Sequence, residues 1–112
     1  MFSSLEIQLI DKVVGQFCEG RISPRIRDEL RLTYTIRNHD VVIVEERLVK
    51  NSANWITIEI AKLRYMRVRN EWQLYWQRAN GKWWPYEPHS DSRTLKAMIK
   101  EIDLDSNGCF FG

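Results

Sequence analysis

Between Leu5 and Phe17 the apolar residues Leu5, Leu9, Ile10, Val13, Val14 and Phe17 recur at steps of three and four. That spacing gathers them on one stripe of an α-helix and leaves Glu6, Gln8, Asp11, Lys12 and Gln16 outside it. Ser3 and Ser4 offer an N-cap and Gly20 an end. Arg21 to Asp28, with Pro24, reads as a connector. From Leu32 to Ile36 the period becomes two, as in a half-buried strand. Asn38-His39-Asp40 predicts a turn and Val41 to Leu48 a second, β-branched strand. A third extended segment runs from Trp55 to Val68. Its parity breaks, because strict alternation from Ile56, Ile58 and Ile60 would place Lys62 and Arg64 on the apolar side, where burial is costly. A bend or bulge between Ala61 and Tyr65 resolves the conflict.

Two hairpins follow. Arg69-Asn70-Glu71 reads as a three-residue loop with Asn70 left-handed, which sets Val68 opposite Trp72 and Met66 opposite Leu74. Asn80-Gly81 reads as a two-residue type I′ turn, which sets Gln77 opposite Trp84, Tyr75 opposite Tyr86 and Trp76 opposite Pro85. Pro85 cannot donate to a ladder, so its strand belongs at an edge. Asp91 or Ser92 then caps a helix with Leu95, Met98, Ile99 and Ile102 on one stripe. The apolar ending, Cys109-Phe110-Phe111-Gly112, is expected to pack against the core or a partner. The predicted architecture is α+β: one domain over residues 1–112, a five-stranded antiparallel meander with an N-terminal and a C-terminal helix packed on the sheet.

Composition narrows the class. The 112 residues are 44% hydrophobic and 29% charged, as expected of a globular chain rather than a disordered one. No apolar run reaches the roughly 18–20 residues of a membrane span, and Met1 to Gln8 lacks the pattern of a secretory signal. Cys18 and Cys109, far apart and outside any CxxC motif, read as free thiols of a reducing compartment. The expected location is cytoplasmic.

The string Glu71-Trp72-Gln73-Leu74-Tyr75-Trp76-Gln77-Arg78, then Lys82-Trp83 and Tyr86-Glu87-Pro88, resembles a family of short bacterial proteins classed as a domain of unknown function. The ending Gly108-Cys109-Phe110-Phe111-Gly112 is similar to that family's C-terminus. Where the resemblance implies His after the Lys-Trp pair, this chain has Trp84, which weakens any histidine-based site. The resemblance brings no activity, substrate or cofactor.

The residues argue the same way. His39 and His89 have no Cys or Ser at a recognisable catalytic spacing, and Glu45 and Glu46 face opposite sides of a strand. Asp103-x-Asp105-x-Asn107-Gly108 opens like a calcium loop but lacks the bidentate acid six residues beyond the glycine. No enzyme activity, metal or cofactor is expected. What remains is a surface. The predicted registers place Tyr65, Arg67, Gln73, Tyr75, Gln77, Trp84 and Tyr86 on one sheet face, where Tyr65, Arg67, Tyr75, Gln77, Trp84 and Tyr86 are the candidate binding residues. Such a face suits contact with another protein, or a second copy of the chain. The alternative is weak single-stranded nucleic-acid binding, with rings stacking on bases and cations meeting phosphate. The basic residues Lys62, Arg64, Arg67, Arg69, Arg78 and Lys82 form one surface only if the register allows it.

Overall fold

The computed structural model describes the backbone of residues 1–112 and the side chains of all but Pro88. Ser3 opens the first helix with a reciprocal cap. Its hydroxyl accepts from the Glu6 N–H (3.2 Å), and the Glu6 carboxylate accepts from the Ser3 N–H (2.7 Å). The helical run is α over Ser4–Ile10 (α1), π over Asp11–Gly15, and α again over Gln16–Arg21 (α2). The π turn changes which face is buried. Ile10, Val14 and Cys18, spaced by four, are buried, and Leu5 and Leu9 are left exposed at 77% and 50%. The expected stripe assumed 3.6 residues per turn throughout; a wider turn rotates the second half against the first.

Strands β1 (Leu30–Arg37), β2 (Asp40–Leu48), β3 (Trp55–Met66), β4 (Glu71–Gln77) and β5 (Trp83–Pro85) form an antiparallel meander in chain order. The two-residue β6 (Asp91–Ser92) pairs with Trp72 and Gln73 of β4, beside β5 on the same outer edge. Thr94, not Asp91 or Ser92, therefore caps α3 (Leu95–Leu104), accepting from the Ala97 N–H. The expected stripe Leu95, Met98, Ile99 and Ile102 is buried.

Three registers fix which side chains meet the helices. Ile43 faces Ala61 but Val44 faces Glu59, so Ile60 is the extra residue of a bulge. The bulge lies just before the expected window. Beyond it, Ala61, Leu63 and Tyr65 point to the helices and Lys62 and Arg64 point away. In the first hairpin Tyr65 faces Trp72 and Met66 faces Glu71, so the loop holds residues 67–70, not three residues. Asn70 is left-handed there, as expected (φ 53°). In the second hairpin Tyr75 faces Pro85, Trp76 faces Trp84 and Gln77 faces Trp83. The loop is Ala79-Asn80-Gly81. The Gly81 N–H donates to the Arg78 carbonyl (2.8 Å), and the Arg78 N–H donates to that of Lys82 (2.9 Å). Gly81 alone takes positive φ (80°), while the Asn80 side chain accepts from the Lys82 N–H (3.0 Å). This is a type I turn closed by a glycine bulge rather than a type I′ turn. Pro85 occupies an edge position without a ladder bond to β4, where its missing N–H is harmless.

The helices α1, α2 and α3 pack on one side of the sheet. There Val41, Ile43, Leu63, Leu74, Tyr86, Met98 and Ile102 are essentially fully buried. Phe2 stacks on Trp72 with ring centroids 5.7 Å apart. The tail closes the other end of this core. Asp105 takes left-handed backbone (φ 45°) after α3, and its carboxylate accepts from the N–H groups of Phe110 (3.0 Å) and Phe111 (2.9 Å). Phe110 is thereby laid on Tyr86, with ring centroids 5.0 Å apart.

Candidate interaction face

Among the described residues no helix or loop covers the opposite side of the sheet. Opposed residues of an antiparallel pair point to the same side, so the registers fill this face with Arg31, Thr33, Thr35 and Arg37 from β1 and with Asp40, Val42, Val44 and Glu46 from β2. Strand β3 adds Trp55, Thr57, Glu59, Lys62 and Arg64. The last contributions are Gln73, Tyr75 and Gln77 from β4, then Trp83 and Pro85 from β5.

The centre of the face is apolar and screened. Val42 lies between Thr35 and Lys62, and Val44 between Thr33 and Glu59. Both valines are almost inaccessible (2% and 5%) although no helix touches this side. Long side chains lay their aliphatic stems over such positions while their charges stay wet. Around this centre the cations sit on rings. The Lys62 ammonium is 4.8 Å from the Tyr75 ring centroid and 5.3 Å from that of Trp83. Arg64 is 5.8 Å from the Tyr75 ring and Arg31 is 3.8 Å from the Trp55 ring. Arg64 also grips Asp40 with two hydrogen bonds (2.8 and 3.1 Å), and Arg37 lies 3.8 Å from Glu59. Desolvation, then the neighbouring Arg64 charge, holds the Lys62 pKa below the ordinary lysine value; the Asp40 hydrogen bond pushes that of Arg64 up. The result is a mixed surface with a small cationic excess.

Of the residues expected to share a face, the structure brings together Gln73, Tyr75 and Gln77. The other four lie elsewhere. Tyr65 points to the helix side, 5.0 Å from the Trp72 ring. Arg67 sits in the 67–70 loop, where it binds the Glu6 carboxylate (2.8 and 3.0 Å) and the Met1 carbonyl (2.5 Å). The Arg67 hydrogen bond, assisted by the Ser3 backbone, pulls the Glu6 pKa down to about 2. Tyr86 is buried, and its hydroxyl accepts from the Asn107 side-chain amide (3.0 Å). Trp84 lies on the helix side beside Trp76, half exposed, with Arg78 4.9 Å from its ring. Tyr75 and Tyr86 are therefore on opposite sides of the sheet. The basic residues from Lys62 to Lys82 do not form one surface: Lys62 and Arg64 face away from the helices, Arg67 and Arg69 are in the loop, and Arg78 lies over Trp76 and Trp84.

The residues missed on this face are Trp55, Lys62, Arg64 and Trp83. The signal was present. Ala61-Lys62-Leu63-Arg64-Tyr65 alternates cleanly once Ile60 is set out of phase, and Trp72, Leu74 and Trp76 then match Leu63 as the inward set.

Other reactive groups are occupied. The Asp105 oxygens bind backbone amides, so the stretch resembling a calcium loop is a helix-ending turn. Among the described residues no group of three or more His, Cys, Asp or Glu is placed to hold a metal ion. His39 packs against Phe2, and His89 lies 3.2 Å from the Glu101 carboxylate. Cys18 and Cys109 are free thiols; burial pushes the first up to about 12 and raises the second. Among the described residues no helix is long and apolar enough to cross a membrane.

Fold and face together define a class: a small α+β domain whose antiparallel sheet is backed by helices on one side and bare on the other. Within it, residues 2–112 match the model of the family described as Domain of unknown function (DUF3024), and the chain belongs to that family. No curated protein and no solved structure matches the chain.

Proposed function

We propose that the chain is a non-enzymatic interaction domain that presents the helix-free face of its sheet to a protein, a second copy of the chain included. One observation carries this reading. A whole sheet face has rings, screened valines and charges of both signs, and no described element of its own chain packs upon it. Protein interfaces combine an apolar centre with a polar, charged rim in this way. The arrangement favours protein over nucleic acid, because Lys62, Arg64 and Arg31 already lie on the ring faces that bases would need for stacking. The acids Asp40, Glu46 and Glu59 stand among those cations and repel phosphate. A bacterial cytoplasmic setting fits the two free thiols and the family resemblance.

Photo-crosslinking in cells tests the reading. A photoreactive residue at Thr57 or Gln77, on the bare face, is expected to give discrete protein adducts; one at Lys96 or Lys100, on the outside of α3, is not. Adducts from α3 alone, or none from the sheet face, overturn it. The nucleic-acid reading rests on Lys62 and Arg64 beside Tyr75. It requires tryptophan quenching by mixed-sequence single strands at low salt that disappears at high salt.

A further inference from the structure

The two edges of the sheet are treated differently. The outer edge of β4 is occupied by the three-residue β5, which ends in Pro85, and by β6. Short strands, proline and covering segments are the devices that stop a sheet from pairing with another chain. Among the described residues the β1 edge has no proline and no strand paired to it, and Cys18, Glu19, Ile22 and Arg27 border it only as one wall of an open groove with Leu32 and Thr33. Strand β1 is eight residues long, contains no proline, and runs in unbroken register with β2 from Leu30 to Arg37.

The phase of its hydrogen bonds is fixed at one end. The Leu48 N–H donates to the Glu29 carbonyl (2.8 Å), so the odd-numbered residues of β1 bond to β2. The backbone N–H and C=O groups of Leu30, Leu32, Tyr34 and Ile36 therefore point outward. Among the described residues those four amides have no other partner.

We propose that this edge pairs antiparallel with β1 of a second copy, about a two-fold axis through Thr33, to give one continuous sheet across the dimer. The sequence is self-complementary at that register. Leu30 meets Ile36 of the other copy and Leu32 meets Tyr34, which uses all four outward-pointing residues in hydrogen-bonded pairs. All four side chains fall on the helix side. On the bare side Thr33 meets itself, Arg31 meets Thr35, and Glu29 meets Arg37. Both members of this last pair are exposed. A slip of two residues, with the axis at Tyr34, sets Arg31 against Arg37 and leaves Leu30 opposite a turn residue. A slip the other way, with the axis at Leu32, sets Arg37 against Arg27. Like charges directly opposite oppose pairing, so the charge pattern selects one register. The proposal stands independently of what binds the bare face, and it would join two such faces side by side.

The test uses charge reversal in trans. Within one chain Glu29 and Arg37 are separated by the length of β1, roughly 25 Å at strand rise, so they meet only between copies. Sedimentation across a concentration series is expected to show a dimer for the native chain. Glu29→Arg alone and Arg37→Glu alone should each weaken it about tenfold at low salt, since two symmetry-related pairs turn repulsive in each. Mixing the two single variants should restore association. The Glu29→Arg chain, cationic at both positions, then meets the Arg37→Glu chain, acidic at both. Circular dichroism confirms that both variants stay folded, as expected for exposed sites. A native chain that is monomeric at every concentration overturns the proposal. So does a dimer indifferent to both substitutions, or a mixture no tighter than its components. Crosslinks from Thr57 or Gln77 to other proteins are read separately, so failure of the edge pairing leaves that reading of the bare face to its own test.

Discussion

Replacing Tyr86 with Ala is expected to cost about 3–5 kcal/mol of folding stability, the range for removing a large buried aromatic ring. Trp84→Ala, two residues away, is expected to cost at most about 1 kcal/mol. The contrast follows from burial. Tyr86 is 1% exposed, packs on Phe110 and accepts a hydrogen bond from Asn107, whereas Trp84 is 47% exposed and meets chiefly Arg78 and Trp76. Residue size alone predicts the opposite order, since tryptophan is the larger ring. Urea denaturation of the two variants measures the difference. Equal losses, or a greater loss from Trp84, would place the strand in the other register.

The second large effect concerns the tail. Asp105→Ala removes the acceptor of two backbone N–H groups and places Ala at φ 45°. Hydrogen bonds to a charged group are worth roughly 1.5–3 kcal/mol each, and this carboxylate is half-buried, so the expected loss is about 2–3 kcal/mol. Asp105→Asn keeps one acceptor and tolerates left-handed backbone, so it should lose roughly half as much. Faster hydrogen exchange at the Phe110 and Phe111 amides of the Ala variant would locate the loss. Unchanged exchange at those amides would mean that the carboxylate does not hold the tail.

The architecture was legible because its signals are local and mutually consistent. The period changes from steps of three and four to two at Leu32, the stripe from Leu95 to Ile102 is regular, Asn70 tolerates positive φ, and Pro85 excludes a central strand. These gave the α+β order, the meander and the edge. The candidate face is less legible because it depends on parity, and parity turns on single residues. Asn80-Gly81 suits both a type I′ turn and a type I turn with a glycine bulge. Both put Gly81 at positive φ, and they differ in whether Ala79 stays extended and Asn80 turns left-handed. The choice lies with tertiary packing: only the longer loop sends Tyr86 inward against Phe110. A one-residue slip moves every side chain of a strand to the other face, so Trp83 and Trp84 exchanged sides together. The bulge at Ile60 acted likewise on Lys62 and Arg64. The π turn at Asp11–Gly15 has no such local mark, and the exposure of Leu5 and Leu9 could not be read from spacing.

The bare face depends on the strand pairing that puts Trp83 on it and Tyr86 in the core. Hα protons of opposed residues without mutual hydrogen bonds lie close together, because their Cα atoms are about 4.5 Å apart. Strong Hα–Hα nuclear Overhauser effects are expected between Gln77 and Trp83 and between Tyr75 and Pro85. The same signals between Arg78 and Trp83 and between Trp76 and Pro85 would contradict the pairing and dismantle the face.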